Sequence, residues 1–320
     1  MFLMHKEIYE EPKVIIDTVE EVKKGIKDLV SFISNFEKIY IVGSGTSYHA
    51  SLYFELLFPN SIAIQASEFT KRKITQQDRI LVVAISQSGE SKDVINALLY
   101  AKKLGAKILA ITNTLGSTLH RLADKAIVTK AGEEKAIAAT KSYIAQLVSI
   151  AYLYSVYANK NLESEILDLP NKIYEIFSME GIYKKYGGML NEKIIILGSG
   201  ILYPTALEAS LKLKETANVL SEAYPSREFL HGPMQILDKN TDVIILGNSE
   251  DEMQVVKKIT DYESKIIRVC EDCEIKIPVT NEILKPILYI IPIQFMAFYK
   301  ALKKGLNPDK PEKLVKVVRE

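Results

Sequence analysis

The chain has 320 residues and a mass of 36.0 kDa, enough for two domains rather than one. Hydrophobic residues make up 48% and charged residues 25%, so enough apolar surface is available to offset the ordering entropy, and disorder is excluded. The 41 Lys and Arg balance 40 Asp and Glu, which excludes a net field drawing the protein to nucleic acid or an anionic membrane; an anionic ligand must be gripped locally.

In chain order, the opening Met1-Phe2-Leu3-Met4-His5-Lys6-Glu7 turns charged too early for a secretory leader. Ile15, Ile16, Val19, Val22, Ile26 and Val30 then share one face of a helical lead. A β-branched run at 38–45 ends in Gly-x-Gly and returns at 193–200, each copy leading into a helix-period segment. Further apolar runs at 62–64, 80–85, 108–111 and 126–128 alternate with helical stretches, and 243–246 and 266–269 repeat the scheme. Continuous apolar strands between amphipathic helices predict parallel sheets covered on both faces, and the repeat predicts two doubly wound α/β domains related by duplication. The expected boundaries are a first domain at 1–160 with its helical lead, a helical connection at 161–190 broken at Pro170 and Gly187-Gly188, a second domain at 191–306, and a tail at 307–320.

Residues 283–299 are the most apolar stretch, interrupted by Lys285, Pro286 and Pro292, and predict a buried strand followed by a helix rather than a membrane span. Cys270 and Cys273 are too few for a disulfide framework, which makes an intracellular, cytoplasmic location the default. Their spacing supplies half a zinc site, but the other candidate ligands are four histidines scattered at 5, 49, 120 and 231, so the pair is expected to be structural or incidental and no metal or cofactor is called for. The tail is charged, carries Pro308 and Pro311, and by composition alone reads as mobile.

Gly43-Ser44-Gly45-Thr46-Ser47-Tyr48 follows a strand and opens a helix. A dinucleotide fingerprint would need a third glycine where Tyr48 stands, although Glu68 lies about where a ribose ligand is wanted. The hydroxyls of Ser44, Thr46 and Ser47 suit a polyhydroxy ligand equally, and this motif alone leaves both readings open. The strand at 82–85 runs into Ser86-Gln87-Ser88-Gly89-Glu90-Ser91 and directly into a helix at 92–104. Hydroxyls and backbone N–H groups converge there on a helix N-terminus, a setting for a phosphate monoester. A simple helix cap would need one serine, and three hydroxyls in six residues favour the phosphate.

These residues closely resemble the sugar isomerase (SIS) domains, in particular the isomerase half of glucosamine-6-phosphate synthases. Lys6-Glu7-Ile8-Tyr9-Glu10-Glu11-Pro12 is similar to that family's K-E-I-x-E-Q-P, Ser44 to Ser47 to its C-G-T-S, and Ser86 to Ser91 to its S-Q-S-G-E-T. Residues 131–141, with Glu134, Ile137 and Ala138, resemble A-G-x-E-x-x-V-A-S-T-K. Residues 206–215 resemble A-L-E-G-A-L-K-L-K-E, Leu230-His231-Gly232-Pro233 resembles K-H-G-P, and Leu314-Val315-Lys316 resembles L-A-K. The likeness runs in order along essentially the whole chain. It implies two SIS domains of flavodoxin-like winding, with Ser44, Gly45, Thr46, Ser47, Ser86, Gln87, Ser88, Ser91, Ile137, Ala138 and Lys212 around a sugar phosphate.

Moving a carbonyl between C1 and C2 of a phosphosugar needs a base that shuttles a proton, and Glu215 near the end of an apolar-periodic helix suits it. Ring opening needs a group that titrates near neutrality, and His231 is a histidine set among Gly and Pro in a loop. Lys212, three residues before Glu215, is placed to hold that carboxylate by charge. The resemblance makes Lys316 the lysine that forms a Schiff base with the ketose, beneath a tail that closes the site and buries Leu314, Val315, Val317 and Val318. It also implies a homodimer in which His231 comes from the neighbouring subunit.

Departures are Ser44 for Cys, Ser91 for Thr and Ala139 for Ser. The synthases also carry a glutaminase domain with a cysteine nucleophile after the initiator methionine, where this chain has Phe2, so no glutaminase activity is expected. The reading is an isomerising deaminase between glucosamine-6-phosphate and fructose-6-phosphate plus ammonia. Alternatives are ammonia-dependent synthesis, a fructosamine-phosphate deglycase, a plain aldose–ketose isomerase, and a sugar-phosphate-binding regulator; the last would have no use for Glu215, His231 and Lys316 together.

Overall fold

The computed structural model describes residues 2–72, 74 and 79–317. Their contacts divide them into two units, one of residues 10–134, 141–168 and 315–317, the other of 2–9, 135–140 and 169–314. Helix α1 (Leu3–Tyr9) belongs to the latter.

The first-sheet unit holds α2 (Glu11–Lys23), α3 (Ile26–Ser34) and five parallel strands: β1 (Lys38–Gly43), β2 (Ser61–Gln65), β3 (Ile80–Ile85), β4 (Lys107–Thr112) and β5 (Lys125–Val128). Their order is β2-β1-β3-β4-β5, with Ile41 opposite Val83 and Val83 opposite Leu109. Between them run α4 (Thr46–Leu57), α5 (Ala66–Phe69), α6 (Lys92–Lys103) and α7 (Thr118–Leu122), and α8 (Lys141–Tyr157) follows. All six residues of β3 are buried, which explains their uninterrupted apolarity. Each such aliphatic side chain contributes about 1.5–3 kcal/mol on leaving water. Of the helical lead, Ile15, Val19, Val22 and Ile26 are buried, whereas Ile16 and Val30 lie at its margin.

Helix α9 (Glu163–Ser178) crosses the division between units. The second-sheet unit continues with α10 (Glu180–Met189), β6 (Lys193–Gly198), α11 (Tyr203–Ala217), β7 (Leu220–Tyr224), β8 (Thr241–Leu246), α12 (Glu250–Ile259), β9 (Lys265–Cys270), β10 (Ile275–Lys276) and α13 (Lys285–Lys303). Its parallel order, β10-β9-β8-β6-β7, is the first sheet's winding read from the other edge. In both, the strand order reverses beside the first strand, between β1 and β3 and between β6 and β8, and open α/β sheets take ligands beyond the carboxyl ends at that point.

Two expectations are corrected. Residues 283–299 contain no strand: after a short 3-10 turn (Glu282–Leu284) they lie in α13, with Pro286 in the first turn, where no N–H is needed, and Pro292 inside the helix. Long and apolar enough to cross a membrane, α13 is instead buried in its own unit as a core helix. Neither Pro170 nor Gly187-Gly188 breaks a helix; both lie inside one, and the interruption falls at Met179. Gly187 serves close packing, since a Cβ there would come within 2.6 Å of the Met296 carbonyl oxygen on α13. The tail is described through residue 317, and Val318 to Glu320 lie outside the described residues. Cys270, at the end of β9, and Cys273, in the turn that leads to β10, are joined in a disulfide.

Candidate active site

In the first-sheet unit the two hydroxyl loops leave the carboxyl ends of β1 and β3, on either side of the switch point. Ser44 and Gly45 are exposed and Thr46 is half-buried at the start of α4. Ser47 turns inward: its hydroxyl oxygen accepts from Gln146 Nε2 on α8 at 3.0 Å, so it holds the helix in place. Ser86 is buried, and its Oγ accepts from the Gly89 N–H at 3.1 Å, while Ser88 Oγ accepts from the Glu90 N–H at 3.2 Å. Each hydroxyl thereby keeps its own proton to donate. Ser91 is the N-cap of α6 yet makes no side-chain cap bond, so its hydroxyl is not occupied by the capping role that the plainer reading would give it.

The loop's shape is fixed from outside. The Gln87 carbonyl accepts from Asn113 N at 3.1 Å and from the hydroxyls of Thr112 and Thr114 at 3.3 Å each. Glu90 Oε1 accepts from Thr118 N at 2.8 Å. Gly89 has φ +66°, and a Cβ there would lie 2.1 Å from Ser117 Oγ, so only glycine fits. Asn113 extends the scaffold, donating to the Gly132 carbonyl at 2.7 Å and accepting from Ala131 N at 2.9 Å. That contact leads to Glu134, whose oxygens accept from Ser142 N and Oγ at 3.1 and 2.7 Å and from Lys316 Nζ at 2.7 Å.

In the second-sheet unit Lys212 of α11 is fully buried between Glu208 Oε1 at 3.3 Å and Glu215 Oε2 at 2.5 Å. Burial alone would push its pKa down, but the two carboxylates outweigh that and raise it, so Lys212 is a fixed cation. The i, i+4 and i, i+3 spacings put all three groups on one helix face. Glu215 is the partly exposed member and lines a cavity of about 520 Å³ with Leu211, Asn218, Leu306, Pro311 and Leu314. Ile137 and Ala138 belong to this unit, and Ile137 N donates to the Asp309 carbonyl at 3.1 Å. Asp309 is buried, and its carboxylate accepts from Leu3 N and Met4 N at 2.8 Å each, closing the open end of α1. The tail is therefore held by polar anchors. The expected burial of its apolar residues is corrected, since Leu314 and Val315 are exposed. His231 follows a 3-10 turn (Glu228–Leu230) on an exposed loop, and no hydrogen bond or ion pair joins it to Glu215 among the described residues.

Glu134, Glu208, Asp309 and Asn113 were not among the expected site residues. Glu134 lay inside a quoted motif, and Glu208 had the helical spacing to find it. Asp309 and Asn113 left no local signal.

The first-sheet unit carries two hydroxyl loops at a doubly wound switch point, and the second-sheet unit carries a lysine-paired carboxylate beside a cavity. The sequence model of the SIS domain matches residues 32–156 and 191–304, and the chain belongs to that family. It is 36% identical to the glutamine–fructose-6-phosphate aminotransferase (isomerizing) of Sulfurisphaera tokodaii and 35% identical to that of Thermococcus kodakarensis, with 98% of this chain covered in each case. The chain spans 56 and 57% of these relatives, a little over half their length. Among solved structures, the C-terminal domain of glucosamine-fructose-6-phosphate aminotransferase from Francisella tularensis superposes with TM-score 0.86 at 28% identity, over 97% of this chain and 98% of that one. Glucosamine-6-phosphate deaminase from Thermotoga maritima does so with TM-score 0.78 at 28% identity, over 96 and 98%.

Proposed function

We propose that the protein is a sugar-phosphate isomerase acting on amino sugars, converting glucosamine-6-phosphate to fructose-6-phosphate and ammonia. The observation that carries this reading is Glu215, a carboxylate fixed by a buried lysine yet facing a cavity, as a base shuttling a proton between C1 and C2 must be. In this reading the hydroxyls of Ser86, Ser88 and Ser91 take the phosphate, and those of Ser44 and Thr46 take the sugar. Ile137 and Ala138 pack beside the sugar, and Lys212 holds the Glu215 carboxylate in place by charge. Ser47 supports the loop from behind. His231 opens the ring, contributed by the neighbouring subunit of a homodimer through its exposed loop. Lys316 forms an imine with the ketose. The likeness to a solved deaminase over 98% of its chain supports the deaminating direction, while the names of the 35–36% identical relatives favour a second reading, synthesis from ammonia by the same groups in reverse.

Incubation with glucosamine-6-phosphate should release ammonia and fructose-6-phosphate in equal amounts. Glu215→Gln should lower that rate by about 10²–10⁴-fold with the fold intact. Fructose-6-phosphate without ammonia, or no turnover of amino-sugar phosphates, would overturn the reading.

A further inference from the structure

An ammonium has no lone pair, so a lysine that attacks a carbonyl must first give a proton away. In this protein the atom placed to receive it is Glu134 Oε2, 2.7 Å from Lys316 Nζ. The Glu134 side chain is wholly shielded from solvent and that of Lys316 is 25% exposed. Ser142 N and Oγ, at the start of α8, fix the two carboxylate oxygens, so the group cannot swing away. Asp309 makes separate anchors to Leu3 N, Met4 N and Ile137 N in the second-sheet unit.

We propose that Glu134 is a catalytic residue, the proton partner of Lys316 in imine formation; the assignment rests on the reading of Lys316 given above. Its proton passes from Nζ to Oε2, and the freed lone pair attacks C2 as the carbonyl π pair moves to oxygen. Glu134 returns the proton to that oxygen, giving a carbinolamine, and takes a second proton from the nitrogen. The nitrogen lone pair then expels hydroxide, which leaves as water with the proton from Glu134. The nitrogen began with three protons; one stays on the iminium and two depart in the water. Glu134 ends as the carboxylate it was at the start, now paired with the iminium.

Glu134→Gln separates this role from scaffolding, because the amide still accepts from Ser142 N and donates to Ser142 Oγ. The experiment is single-turnover trapping with fructose-6-phosphate and borohydride, mapped to Lys316 by peptide mass. Glu134→Gln should keep the wild-type thermal midpoint within a few degrees. It should trap at least about a hundredfold more slowly at pH 7, with a rate that climbs more steeply with pH as hydroxide replaces the carboxylate. Glu134→Ala should recover part of its rate with added formate. Trapping by Glu134→Gln at the wild-type rate or faster would overturn the assignment. So would slow trapping with the wild-type pH profile and no response to formate, which marks a structural effect. If the wild-type protein traps on another lysine or not at all, the Lys316 reading itself falls and takes this assignment with it.

Discussion

The switch points of the two sheets have the same strand geometry and opposite chemistry. After β3, Ser86 and Ser88 accept hydrogen bonds from N–H groups of their own loop and retain hydroxyl protons to donate. After β8, an anion is already in place. Glu252, in the first turn of α12, accepts from Ser249 N at 3.1 Å, from Ser226 Oγ at 2.7 Å, and from the hydroxyls of Ser249 and Ser199. Burial pushes the Glu252 pKa up, but the serine hydroxyls outweigh it and leave the carboxyl below its ordinary value. Duplication thus preserved a helix N-terminus with converging hydroxyls in both halves. In the second the chain fills it with Glu252; in the first no carboxylate of the loop does, which is where the proposed function puts the phosphate.

The strongest test of this contrast is the double substitution Ser86→Ala with Ser88→Ala. Each hydroxyl bond to a charged phosphate contributes roughly 1.5–3 kcal/mol, so fructose-6-phosphate binding by calorimetry should weaken at least about tenfold, with unphosphorylated fructose unaffected. Equal losses for both sugars would mean that the loop holds the ring. A smaller effect is expected at the other switch point. Glu252→Ala strands buried donors and should cost about 1–3 kcal/mol of stability, read as a lower Tm, while affinity for fructose-6-phosphate stays the same. Lost affinity in that variant would move the ligand to the second sheet and break the comparison.

The smallest expected effect is a pH dependence. With its folded pKa below the unfolded value, Glu252 contributes fully above the unfolded value, about 4.3, and loses its contribution as pH falls through the folded one. The gap in Tm between the wild-type protein and Glu252→Ala should therefore be constant near neutrality and narrow in acid. A gap that widens in acid would mean that Glu252 is buried protonated.

Much of the architecture was legible because parallel strands buried on both faces are written as unbroken apolar runs, as β3 and residues 243–246 of β8 are. β7 and β10 were not, since β7 alternates exposed and buried residues and β10 is two residues long. Pro292 misled for a related reason: breaker residues report local cost, and the burial of α13 on nearly all sides outweighs one lost hydrogen bond. The site divides the same way. The hydroxyl loops are contiguous and follow strands, so they could be found by reading along the chain. Glu134 meets Lys316 across 182 residues, and Asp309 meets Leu3 across 306. Neither pairing leaves a periodicity or a spacing to detect. The tail's composition argued for solvent because it is charged, and two of those charges are what fasten it.

The contact of Asp309 with α1 also bears on when the protein becomes competent during folding. A link between positions so distant closes a very large loop. Closure entropy grows only slowly with loop length, as about (3/2)RT ln n, but the contact cannot repay it until the intervening sheet has formed. The parallel strands must find one another first, and the clasp that positions Ile137 beside the tail comes after. Synthesis reinforces this order, since Asp309 follows every strand and helix of both sheets. A chain halted before Asp309 would have its strands paired and its serine loops built, and still lack the segment that carries Lys316.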